Sequence, residues 1–155
     1  TEDWKKITPT SEDDLDSFFA HANWRFDENE MRKLYNIADA HVSASQGESF
    51  GLPMLESMAC GVPQIFGNHS VGPEHVGEPK TGYLVNVARH MTTPLISDVF
   101  LIDEDDMANK MNLMLEDDAS RKEFSKNALE YVKDFTWDKV VNLWDLLIKS
   151  QVYLV

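Results

Sequence analysis

Residues 44–63 read ASQGESFGLPMLESMACGVP, with seven residues separating Glu48 from Glu56. The first half of the stretch is a glycine-containing loop and the second half a helix. Pro53 suits a first helical turn, where its missing N–H costs nothing. Leu55, Met58 and Ala59 give the helix an apolar face, Gly61 ends it, and Pro63 prevents it from resuming. Upstream, AHVSAS at 40–45, with β-branched Val42, predicts a strand; downstream, PQIFG at 63–67 predicts a second. Residues 40–67 therefore form one βαβ unit, whose strands lie parallel in one sheet. Ligands of such open sheets sit outside the carboxyl ends of the strands, where the Glu48 loop falls.

The flanks extend the same pattern. Ser11 with Asp14 resembles a capping box before a helix at about 12–22, and NWRF is a short extended piece. Asp27 with Glu30 caps a helix running to about Ala38, with Met31, Leu34, Tyr35 and Ile37 apolar. The Gly- and Pro-rich run at 68–85 is expected to be mostly turns, ending in a third strand at GYLVNV. Residues 88–99 read as an irregular surface insertion. Asp103 caps a helix at about 104–116, a second spans about 119–134, and Thr136 caps a third at about 137–150. The helical spacing of Trp137, Val140, Val141, Trp144 and Leu147 marks them as core. The expected class is α/β, with a partial Rossmann-like parallel sheet and C-terminal helices, in a single domain spanning 1–155. Only three strands are evident, fewer than a doubly wound domain needs.

Composition narrows the function. The 155 residues are 43% hydrophobic with 8 Phe, enough for a packed core. A formal charge of -13 argues against nucleic acid or an anionic membrane as partner. The lone Cys60 permits no internal disulfide and is expected as a small buried residue at a helix end. TEDWKKITPT lacks the apolar core of a signal peptide, and no run is apolar over the roughly 18 residues a bilayer span needs. The expected compartment is the cytoplasm, any membrane association being carried by parts outside this chain.

The loop chemistry points to an oxygen-rich anionic ligand. Free N–H groups of Phe50, Gly51 and Leu52 at the positive end of the helix attract phosphate or polarised hydroxyl oxygens, and Gly51 permits close approach. Glu48 either caps the helix or accepts hydrogen bonds from neighbouring sugar hydroxyls. Glu56 is either an exposed helix glutamate or the acceptor of a ribose diol. Read together, the two acids describe a receptor for a nucleotide diphosphate sugar.

This stretch resembles the donor-binding domain of the retaining GT-B glycosyltransferases of family 4 (glycosyl transferases group 1), whose E-x7-E motif stands here as ASQGESFGLPMLESMACGVP. MRKLYNIADAHVSAS, VGPEHVGEPKTGYLV and the segment from LIDEDD to VVNLW resemble further family segments in the same order, so the likeness covers roughly 24–148. Residues 1–23 are a poorly matched lead-in. The resemblance implies that Glu48 is the catalytic-centre acid holding donor-sugar hydroxyls. It implies that Ser49, Phe50, Gly51 and Leu52 contact sugar and diphosphate, and that Glu56 takes the ribose. Ser45 stands where the family often has a serine near the donor. Glu74 matches a frequent family glutamate, with bonding of turn amides as its other reading. Trp24, Arg25 and Phe26 stand where the family chain passes the base, Phe26 also suiting a core strand.

The resemblance further implies a UDP- or GDP-sugar donor, no cofactor, no essential metal, and a glycan, lipid or protein acceptor. The Arg and Lys with which the family neutralises the leaving diphosphate have no match among Lys5, Lys6 and Arg25, and the N-terminal acceptor-binding domain is absent from this chain. His21, His41, His69, His75 and His90 are read as turn or partly buried surface histidines. The D-x-D within DEDD at 103–106 is read as helix-opening acids rather than a metal site. The alternative function is a non-catalytic nucleotide-sugar binding module or regulatory subunit.

Overall fold

A computed structural model describes residues 26–94 and 97–152. The expected helix at 12–22, the Ser11–Asp14 cap and the placements of Trp24 and Arg25 lie outside the described residues. The chain divides into two compact units, Thr1–Met31 and Arg32–Val155.

In the first unit the Asp27 capping box is formed. The Asp27 amide donates to Glu30 Oε2 at 3.0 Å, and the Glu30 amide donates back to Asp27 Oδ1 at 2.9 Å. Phe26, expected in a core strand, is outside any strand and exposed. The helix opened by this box, α1 (Glu28–Asn36), has Arg32–Asn36 in the second unit, stops two residues short of its expected end and buries no side chain fully.

The second unit is built on three parallel strands, β1 (His41–Ser43), β2 (Gln64–Gly67) and β3 (Gly82–Val85), in that spatial order. His41 pairs with Gln64 and Gln64 with Gly82, so the central strand is β2. All four of its residues are buried, as expected of a parallel strand covered on both faces. The period-2 alternation sends Phe66 to one core and Ile65 to the other. Phe66 packs with Met54, Leu55, Met58, Val76 and Ala128, whereas Ile65 packs with Val85 and Met114.

The crossover helix α2 (Leu52–Ala59) carries Pro53 in its first turn and buries Met54, Leu55, Ser57 and Met58. It ends as the sequence requires. Gly61 takes φ 75°, its N–H donates to the Met58 carbonyl at 2.8 Å, and the Val62 N–H reaches the Ser57 carbonyl at 3.1 Å. Cys60 at the helix end is half-buried rather than buried and accepts from Asn36 Nδ2 at 3.6 Å. A polar knot crosses this unit. Gln64 Nε2 donates to Ser57 Oγ (3.0 Å) and to the Val62 carbonyl (2.6 Å), while its Oε1 lies 2.8 Å from His41 Nδ1.

Three expectations are corrected. The Gly- and Pro-rich run contains a single π-helical turn, Pro73–Gly77, rather than turns alone. Residues 88–99 are not irregular: β4 (Val87–Thr92) pairs antiparallel with β5 (Asp98–Ile102), with a bulge near Val87–Arg89. The β4 side chains are almost all exposed, so no apolar alternation announces the strand. It is held across the ladder, by the His90 ring stacked on Phe100 at 4.8 Å and by Thr92 Oγ1 donating to Asp98 Oδ1 at 2.9 Å.

The last correction concerns the C-terminal helices. Helix α3 (Glu104–Glu116) is capped by Asp103, and α4 (Asp118–Tyr131) by Asp117. A 3₁₀ turn, Val132–Asp134, leads to α5 (Trp137–Val152), where Thr136 Oγ1 accepts from the Lys139 amide at 3.4 Å. The α5 stripe expected in the core is exposed: Trp137 by 84%, Trp144 by 60% and Leu147 by 51%. Helical spacing shows that a face is apolar; it does not show what covers it. Among the described residues no helix is long and apolar enough to cross a membrane.

Candidate functional site

The carboxyl end of β1 runs into the loop Ala44–Gly51 and then into α2. Gly51 adopts φ 75°, ψ 48°, a left-handed conformation that turns the chain into the helix without a side-chain cap. The first helical bond runs from the Leu55 amide to the Gly51 carbonyl at 3.0 Å. Glu48 folds onto its own loop. Its Oε1 accepts from the Ser49 amide at 2.9 Å and, more weakly, from the Phe50 amide at 3.4 Å. Its Oε2 makes no hydrogen bond among the described residues. The carboxylate is thus fixed by one oxygen and presents the other, the arrangement that lets a charged acceptor grip a hydroxyl.

Glu56 lies one turn into α2 and is exposed. Its Oε2 accepts from the Tyr35 hydroxyl at 3.0 Å. Burial, this hydrogen bond and the charge of Glu56 push the Tyr35 phenol up to about 12. Among the described residues Glu56 is the one charged group on the wall of a cavity of about 410 Å³, otherwise lined by Phe50, Leu52, Leu55, Phe135 and Trp137 with their neighbours. That volume falls in the range of small-molecule clefts.

Behind the loop stands an aromatic cluster. His75 is 1% exposed; its Nδ1 lies 2.8 Å from the Tyr131 hydroxyl and its Nε2 3.0 Å from the Phe50 carbonyl. The Phe50 ring meets His75 edge-on at 5.9 Å and Phe135 at 6.0 Å. Burial, with the charges of Glu74, Glu78 and Asp134 added, raises the Tyr131 phenol. The loop after β2 adds His69, 4% exposed and stacked on Phe100 at 4.8 Å. Its Nδ1 lies 3.1 Å from Ser70 Oγ, which accepts from the Glu48 amide at 3.4 Å. Burial lowers the His69 pKa, against the opposing pull of the Ser45 backbone. Both histidines lie in turn segments, one of the two roles expected of them, but are buried rather than partly exposed.

Of the residues singled out by sequence, Ser45, Glu48, Ser49, Phe50 and Gly51 share one strand-end loop, Leu52 opens α2, and Glu56 follows one turn later. Ser45 Oγ is buried without a partner among the described residues. Glu74, on the π-turn, exposes a carboxylate that bonds no turn amide, although its carbonyl accepts from Tyr131 at 3.4 Å. Arg25 lies outside the described residues. Asp103 and Asp106 serve as cap and ladder acceptors, Asp103 Oδ1 taking the Asp106 amide and Asp106 Oδ2 the Asn86 amide. No group of three or more His, Cys, Asp or Glu among the described residues is placed to hold a metal. Tyr35, His75 and Tyr131 escaped sequence reasoning, since their partners are 21, 25 and 56 positions away.

Residues 20–131 match the family model described as Glycosyl transferases group 1. The chain is 30% identical over 124 residues to O-antigen chain mannosyltransferase B of Escherichia coli, an alignment covering 77% of this chain and 28% of that protein. It is 30% identical over 109 residues to D-inositol 3-phosphate glycosyltransferase of Actinosynnema mirum, covering 70% and 23%. It is 28% identical over 121 residues to N-acetyl-alpha-D-glucosaminyl L-malate synthase of Bacillus anthracis, covering 77% and 28%. The chain spans about a quarter of the length of these relatives. With its parallel sheet and its match over residues 20–131, the chain belongs to the group 1 glycosyl transferase family.

Proposed function

We propose that this chain is the donor-binding half of a retaining GT-B glycosyltransferase and takes a nucleotide diphosphate sugar at the Ala44–Leu52 loop and the face of α2. The observation that carries this is the state of the two acids. Glu48 is fixed by one oxygen on the Ser49 and Phe50 amides, and Glu56 stands exposed on a cavity wall with Tyr35 on one oxygen. Glu48 holds sugar hydroxyls, and Glu56 holds the ribose. In the transfer, the bond from the anomeric carbon to the diphosphate oxygen breaks and its electron pair leaves with that oxygen. The acceptor hydroxyl bonds to the same face of the carbon and passes its proton to the departing diphosphate oxygen. Amides at the α2 start stabilise the developing diphosphate charge. Basic groups and the acceptor site come from an N-terminal domain outside this chain, and no essential metal is called for.

Calorimetry of the chain with UDP, GDP and their hexose conjugates tests this. The matching nucleotide sugar is expected to bind more tightly than its free nucleotide, and Glu48→Gln to remove that sugar increment while sparing the nucleotide. A sugar increment unchanged in Glu48→Gln contradicts the role given to Glu48.

A further inference from the structure

His75 occupies the π-turn Pro73–Gly77 and is held at both ring nitrogens, by the Tyr131 hydroxyl and by the Phe50 carbonyl. A carbonyl only accepts, so Nε2 carries a proton. The Phe50–Gly51 peptide is trans, and in a trans peptide the C=O and the following N–H point in opposite directions. Fixing the Phe50 carbonyl on a buried ring therefore turns the Gly51 N–H away from that ring. The Ser49 and Phe50 amides are taken by Glu48, but the Gly51 amide donates to nothing among the described residues. The ring itself has little freedom: Phe50 and Phe135 pack against it edge-on, at 5.9 and 5.6 Å, and Tyr131 at 5.7 Å. On the two strand-end loops, Ser45 Oγ and His69 Nε2 are buried polar atoms without hydrogen-bond partners among the described residues.

We propose that His75 is a positioning residue: it sets the Phe50–Gly51 peptide plane so that the Gly51 amide stands ready to donate to the diphosphate of a nucleoside diphosphate ligand. This rests on the donor-site reading above. A donor already aimed where negative charge develops needs no reorganisation when the ligand arrives. His75 touches no ligand in this role; it acts through the Phe50 carbonyl.

Amide resonances of the ¹⁵N-labelled chain, titrated with UDP and with GDP, test the proposal. Gly51 is buried, and in the wild-type chain its unpaired amide should shift as the diphosphate saturates. His75→Met keeps bulk but no donor. It should weaken diphosphate binding about tenfold, one net hydrogen bond at about 1.4 kcal/mol per decade, and remove the Gly51 shift. His75→Gln, which keeps an N–H donor, should restore both. A purely structural histidine would instead lower the unfolding midpoint of both variants and leave the affinity of the folded protein unchanged, which overturns the proposal. Should His75→Met not fold, the wild-type spectrum still decides: a Gly51 amide silent when the diphosphate is bound overturns it. Binding without a Gly51 response defeats this inference alone. No binding of either diphosphate to the folded wild-type chain defeats the donor-site reading and this inference with it.

Discussion

The Tyr35 hydroxyl donates to Glu56 Oε2 at 3.0 Å, joining α1 to the acid that α2 presents to solvent. The pair has a titration signature. The Tyr35 phenol is pushed from 10.0 up to about 12, first by burial and then by its bond to Glu56. A raised folded pKa means stability that is complete below the unfolded value near 10 and lost as pH rises through about 12. Spectrophotometric titration should show the Tyr35 phenol late, alongside the raised Tyr131, and in Glu56→Gln the Tyr35 step alone should move back toward 10. An unmoved phenol would show that Glu56 is not its partner.

His69 gives the opposite limb. Its pKa is lowered from 6.5 by burial, so its contribution to stability is complete above about 6.5 and declines as pH falls toward the folded value. His69→Phe keeps the stack on Phe100. It should flatten this acid-side decline in a series of urea melts between pH 7 and pH 5; an unchanged slope would assign the decline elsewhere.

Gln64→Leu should destabilise the chain by about 1–3 kcal/mol, since it leaves Ser57 Oγ and His41 Nδ1 short of a partner inside the second unit. The check is the urea midpoint at constant slope. A neutral result would mean that water or a rearranged side chain satisfies the knot.

The α5 face behaves as surface in this chain. Leu147→Lys should change stability by no more than about 0.5 kcal/mol and reduce the fluorescence of a bound apolar dye, because Leu147 is 51% exposed. A loss of several kcal/mol would restore the core role that its helical spacing suggested.

What the sequence disclosed was local chemistry. The Asp27–Glu30 box, Pro53 in the first turn of α2 and Gly61 at its end each depend on neighbours within a few positions, and all three are in place. The central strand β2 carried apolar residues because it is covered on both faces. Strand β4 carried no such mark, since its side chains face water and it is held by pairs across the ladder to the half-buried β5. Likewise Glu48 and Glu56 could be named from their spacing around a helix start. His75 could not, because it lies in a run without periodicity and its partners, Phe50 and Tyr131, reach it only through the fold.

The central claim is that the Glu48 loop and Glu56 together receive a sugar nucleotide. Its most direct test is the affinity of the folded chain for UDP- and GDP-sugars with and without the Glu56 carboxylate. One of them should bind wild type with one-to-one stoichiometry, and Glu56→Gln should weaken it at least tenfold, the loss of a charge-assisted acceptor worth about 1.5–3 kcal/mol. Equal affinity in the two proteins, or no binding to a folded wild-type chain, would contradict the account.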